Sequence, residues 1–152
     1  MSGSLSGAPS RSPELERLVR FFECLRRADV ASLGEIYTDD VHFKDPFNDV
    51  RDIAHVRRIF DHMFDQVSEP RFVVHEAVQQ GRQAFLIWDF RFRMKRLDTV
   101  TLQTIRGATH ARFAADGRVN LHRDYWDAAE ELYEKLPVLG GVMRFLKRRA
   151  GR

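Results

Sequence analysis

Residues 118–127 read Arg-Val-Asn-Leu-His-Arg-Asp-Tyr-Trp-Asp and follow an Ala115-Asp116-Gly117 turn. Their strict alternation fits a strand, whose side chains point to opposite faces with period two. Asn120, His122, Asp124 and Trp126 then share one face, and Val119, Leu121, Arg123 and Tyr125 the other. A face carrying an amide, an imidazole, a carboxylate and an indole makes a poor core but suits a pocket wall, where an apolar body surrounds a few polar groups. A face that simply meets water would show the same pattern.

The rest of the chain is organised around such strands. Residues 1–12 are rich in Ser and Gly and predict a disordered tail. Ser12-Pro13 is a helix start, with Leu15, Leu18, Val19, Phe22 and Leu25 at helical spacing. Asp29 can cap a second, short helix through Ile36. A brief strand is expected over 41–47, cut off by Pro46, which cannot donate to a ladder. Asp52 caps a third helix with the stripe Ile53, Val56, Phe60, Met63, Phe64 and Val67. Strands follow over 72–78, 84–94, 100–113 and 118–127, with turns at Gln80-Gly81, Leu97-Asp98 and Asp116-Gly117. In 84–94, Leu86, Trp88, Phe90, Phe92 and Met94 share one face. Residues 128–152 predict a helical extension with an apolar stripe over 138–146 and a cationic end. Helices grouped before strands argue an α+β fold. A curved antiparallel sheet wrapped around three helices leaves a cone with an open mouth.

Size and charge exclude several classes. A chain of 152 residues makes one domain, here 13–127 with its two extensions. The net charge of +3 is too small to argue for nucleic acid. One cysteine, Cys24, precludes an internal disulfide framework and fits a reducing compartment. No apolar run is long enough for a membrane span, and the start lacks a signal pattern, so a cytoplasmic protein without stable membrane association is expected. The histidines show no close ligand pair, and there is no Gly-rich phosphate loop. Neither metal nor cofactor is expected.

The order of elements, with Tyr37-Thr-Asp-Asp-Val-His-Phe-Lys-Asp-Pro46 and Arg123-Asp-Tyr-Trp-Asp127, resembles the SnoaL-like, nuclear-transport-factor-2-like superfamily over roughly residues 13–126. The resemblance implies a cystatin-like cone with a deep apolar cavity, often as a homodimer packed through the sheet. Ketosteroid isomerase, a relative, places its catalytic carboxylate in an Asp-Pro step that matches Asp45-Pro46. Phe21 and Thr109 fall at the positions of its oxyanion donors, which are a tyrosine and a carboxylic acid. Limonene epoxide hydrolase ends in Arg-Asp-Tyr-Phe-Asp, which matches residues 123–127 and aligns Asp124 with its water-activating aspartate. Its Arg-x-Asp pair falls near Trp88-Asp89-Phe90, where the Arg and the second Asp are missing. The chain thus retains one carboxylate of each relative and neither complete machine, and a shared fold does not assign chemistry.

Asp45 and Asp124 are the candidate catalytic residues. A carboxylate in an apolar cavity has its charged form disfavoured and is poised for proton transfer near neutral pH. The competing readings are a turn-forming Asp before Pro for Asp45 and an Arg salt bridge for Asp124. Tyr37 (from the second helix), Phe43, Trp88, Phe90, Thr109, His122 and Trp126 are the candidate substrate-binding residues. For His122 a hydrogen-bonded cavity histidine is the competing role, and for the aromatic residues ordinary core. Two functions fit: acid-base catalysis of the isomerase, cyclase or hydrolase type on an apolar metabolite, or a non-catalytic module that binds or carries an apolar or lipid-like ligand. Phe85, Ile87, Val119, Leu121 and Tyr125, together with Arg91 and Arg93, are placed opposite the cavity. Such a face predicts a homodimer. The helix over 138–149 is expected to act as a lid on the barrel.

Overall fold

The structure, a computed structural model, describes residues 11–133. Residues 1–10 of the expected tail and 134–152 of the expected C-terminal extension, its lid helix included, lie outside the described residues.

Helix α1 (Pro13–Glu23) starts where Ser12 Oγ accepts a hydrogen bond from the Leu15 amide, with Pro13 in the first turn. Its Leu15, Leu18, Val19 and Phe22 are buried, each worth about 1.5–3 kcal/mol relative to exposure. The second helix, Arg27–Glu35, is of the 3₁₀ type and kinks at Ser32. Asp29 supports its start by accepting from the Arg26 amide at 2.8 Å. Helix α2 (Ile53–Gln66) is capped by Asp52, which accepts from the His55 amide, and it buries Ile53, Val56, Phe60 and Phe64.

Six strands form one sheet: β1 (Tyr37–Lys44), β2 (Asp49–Val50), β3 (Val67–Gln80), β4 (Gln83–Met94), β5 (Gln103–Phe113) and β6 (Val119–Tyr125). Their order is β2-β1-β6-β5-β4-β3. Strands β3 to β6 are the expected antiparallel meander. The pair β1 and β6 runs parallel, and this places the end of the Tyr37–Lys44 strand beside the end of the strand carrying Asp124. The curved sheet wraps the N-terminal helices, giving the α+β cone.

Several boundaries differ from expectation, for reasons the contacts show. Strand β1 begins at Tyr37 because the 3₁₀ helix stops at Glu35, so Tyr37 is a strand residue and not a helical one. Strand β3 begins before Pro70 and runs through it. It is an edge strand and its register shifts between Ser68 and Arg71, the setting in which a strand tolerates a proline; Glu69 there adopts φ +52°. Strand β5 begins at Gln103, since Asp98 accepts from the Val100 and Thr101 amides and prolongs the turn. Val119 is core, not outer face. The register shifts beside Phe113, and the Val119 amide bonds to the Ile36 carbonyl at 2.7 Å. The last element is a short π-helical turn, Ala129–Tyr133, tied to β5 where Arg106 donates to Glu131 at 2.9 Å.

The core lies between the helices and the concave sheet face, where Tyr37, Val41, Phe43, Leu86, Trp88, Phe92 and Ile105 are buried. The convex face exposes Phe85, Ile87 and Tyr125, each by nearly half or more. No helix among the described residues is long and apolar enough to cross a membrane.

Candidate functional site

The alternation of β6 puts His122 and Asp124 on the concave face, and the antiparallel register with β5 sets Thr109 opposite Asp124. The β4–β5 register brings Trp88 opposite Gly107. A hydrogen-bonded chain results. Trp88 Nε1 donates to Thr109 Oγ1 at 2.8 Å, and Thr109 Oγ1 donates to Asp124 Oδ1 at 2.6 Å. From the other side, His122 Nε2 lies 2.7 Å from the same Oδ1, and His122 Nδ1 lies 2.9 Å from Tyr37 Oη. Tyr37 and His122 are wholly buried, at 0 and 1 % exposure, while the Asp124 side chain keeps 18 %. The chain therefore runs from the core to the mouth and ends on a carboxylate. Among the described residues nothing bonds to Asp124 Oδ2, and no Arg pairs with Asp124.

Burial pushes the Tyr37 phenol well above its ordinary range, and the Asp124 charge adds to the shift. The phenol is therefore a donor, not a phenolate.

Asp45 stands where β1 leaves the sheet. Its Oδ1 accepts from the Phe47 and Asn48 amides at 2.7 Å each, and the Asn48 side-chain amide reaches both oxygens. The turn-forming role of an Asp before Pro is thus present. Yet burial raises the Asp45 pKa, the bonds from Phe47 and Asn48 oppose this, and the Asp124 charge raises it further. Asp45 and Asp124 line one open cleft of about 560 Å³, bounded also by Lys44, Pro46, Arg123, Tyr125, Trp126 and Asp127. Trp126 walls it with its ring edge-on to Phe47 at 5.4 Å.

The other candidates sit deeper. Phe43 stacks on the His122 ring at 4.5 Å, with Phe22 5.5 Å away on that ring. Phe90 stacks on Phe72 at 4.4 Å, and Phe72 meets Trp88 edge-on. These rings pack against one another and against His122 on the concave side, and the concavity that both carboxylates line is the open cleft. Phe21 packs edge-on against Phe22 and Phe60, and the Thr109 hydroxyl is engaged on both sides. Asp89 points to the convex face, 3.1 Å from His75 Nε2 and 3.2 Å from Arg91. Two contributors escaped sequence reasoning. One is Asn48, whose amide holds Asp45. The other is Gly107, where a Cβ would lie 2.5 Å from Trp88 Cη2, so the indole occupies the place of a side chain. Only the strand register reveals it. Among the described residues no group of three or more His, Cys, Asp or Glu is placed to hold a metal ion.

Comparison with known structures shows the same architecture. A nuclear transport factor 2-like protein of unknown function from Burkholderia pseudomallei is 18 % identical with a TM-score of 0.68, covering 79 % of this chain and 95 % of its own. An epoxide hydrolase of the limonene-epoxide-hydrolase-like type from M. tuberculosis is 17 % identical with a TM-score of 0.66, covering 89 and 96 %. A hypothetical protein with a ketosteroid isomerase-like fold from Catenulispora acidiphila is 11 % identical with a TM-score of 0.68, covering 81 and 92 %. At these identities the likeness is one of fold. No curated protein matches the sequence. The SnoaL-like domain, however, matches residues 18–122, most of the cone, all of β1 and the first part of β6 as far as His122. The chain belongs to the SnoaL-like domain family.

Proposed function

We propose that this SnoaL-like protein carries out acid-base chemistry, of the isomerase, cyclase or hydrolase type, on an apolar metabolite held in the cleft at the cone mouth. Asp124 is the base: one oxygen is anchored by the buried chain and the other is free to take a proton from substrate or water. Asp45, whose charged form is disfavoured, is the second carboxyl, suited to supply a proton across the cleft. Trp126 gives the ligand an apolar wall, and Phe43, stacked on the His122 ring, backs the buried chain from the core. The observation that carries this reading is the convergence of a buried polar chain on a single carboxylate that opens to a cleft. The test is turnover by wild type and by Asp124→Asn, on a substrate found by screening apolar epoxides, enones and polyketide-like compounds. Activity kept by the variant excludes Asp124 as the base.

One observation favours a second reading, a non-catalytic carrier of an apolar or lipid-like ligand. Phe21 has no donor and the Thr109 hydroxyl is occupied, so neither serves a developing oxyanion. Ligand binding unchanged in Asp124→Asn, with no turnover by wild type, would select it. The exposed Phe85, Ile87 and Tyr125 support a homodimer through the convex face. The single cysteine supports a reducing, cytoplasmic setting.

A further inference from the structure

We propose that Tyr37, His122, Thr109 and Trp88 are positioning residues that grip Asp124 by one oxygen from two sides, leaving Oδ2 as the oxygen presented to the cleft. The inference rests on the reading of Asp124 as the acid-base group, and it concerns residues that never meet the ligand. Thr109 is 3 % exposed and Trp88 6 %, and Tyr37 and His122 are buried more completely still. Whatever they do for chemistry they do through Asp124.

The hydrogens can be placed by elimination. An indole N–H only donates, so Thr109 accepts from Trp88 and spends its own hydrogen on Asp124 Oδ1. Among the described residues His122 Nδ1 is the one acceptor within reach of the buried Tyr37 hydroxyl, so the phenol donates there. The ring hydrogen then sits on Nε2 and points at the same Oδ1. Both arms end as donors on one oxygen, and every buried polar side-chain atom among the described residues is satisfied. Rotation of the imidazole is blocked by Phe43, stacked at 4.5 Å with 22° between the ring planes. The second arm depends on Gly107, whose missing side chain is the seat of the Trp88 indole. A carboxylate at the rim of an open cleft would otherwise sample several staggered χ1 wells. Here it has one orientation, set from the core.

Glutamine separates this role from a proton shuttle or a plain core contact. At position 122 it can accept from Tyr37 through Oε1 and donate to Asp124 through Nε2, but it does not titrate. The experiment measures three-bond couplings reporting Asp124 χ1, with ¹⁵N shifts locating the His122 ring hydrogen, in wild type, H122Q, H122L and T109V. We expect a single Asp124 rotamer in wild type and H122Q, averaging over two or more in H122L and T109V, and the wild-type hydrogen on Nε2. An Asp124 rotamer that stays fixed in both H122L and T109V overturns the grip, as does averaging in H122Q or a hydrogen on Nδ1. Should H122L fail to fold, the pair H122Q and T109V decides: averaging in the second alone supports the proposal, and any other pattern overturns it. None of these readouts needs turnover. The grip can therefore fail with the acid-base role intact, and the acid-base role can fail with the grip intact.

Discussion

Gly107→Ala tests the seat of the Trp88 indole, and the sign of the result is informative. Glycine in a strand interior is about 0.5–1 kcal/mol less favourable than alanine on backbone entropy alone. With open space above Gly107, the variant would therefore be more stable than wild type. The structure instead places the new Cβ 2.5 Å from Trp88 Cη2 and 2.7 Å from Cζ2. The indole cannot yield freely, since Phe72 packs against it edge-on at 5.5 Å and its Nε1 is bonded to Thr109 at 2.8 Å. Overpacking of this kind costs about 1–3 kcal/mol, and a strained or broken buried hydrogen bond adds about 1 kcal/mol or more. The net expectation is a loss of about 1–3 kcal/mol once the backbone gain is deducted. Urea denaturation followed by tryptophan fluorescence and by far-UV circular dichroism measures it, with the slope checked for two-state behaviour. A variant equal to or more stable than wild type would refute the close approach, and with it the placement of Trp88 that anchors Thr109.

Other outcomes follow from the same contacts. Ser12→Ala removes the cap that accepts from the Leu15 amide at 3.1 Å and should lower stability by about 1 kcal/mol in the same urea assay; no loss would mean that the cap carries nothing. Asp45 has a folded pKa raised above 3.8, so the fold disfavours its charge. That penalty is absent below the unfolded pKa and grows as pH rises through the folded one. The stability of Asp45→Asn relative to wild type should therefore improve between about pH 3 and pH 7, and a difference that stays flat or declines contradicts the shift. Light scattering at micromolar concentration should give twice the chain mass, and Phe85→Asp with Ile87→Asp should return the monomer. A monomeric wild type would exclude the dimer.

Much of the fold was legible because period and punctuation agree. The stripes of α1 and α2 and their caps at Ser12 and Asp52 are local, and so is the alternation of β4 and β6. The pairing of His122 with Asp124 on one face follows from their spacing alone. Nothing local separates the end of a 3₁₀ turn from one more helical residue at Tyr37; the break is decided by β1 joining β6. Pro70 hides the start of β3, because only an edge position makes a proline tolerable there. Gly107 carries no local sign of its role, which exists only once Trp88 is set across from it. The interior rings are legible as apolar positions, but which ring stacks on which is a matter of packing and not of pattern.

The most direct test of the account is single-turnover kinetics of wild type against Asp124→Asn on the substrate that screening identifies, with circular dichroism confirming a folded variant. The chemical step should slow by about two orders of magnitude or more, with ligand affinity within a few-fold of wild type. A folded Asp124→Asn that turns over at the wild-type rate would contradict it.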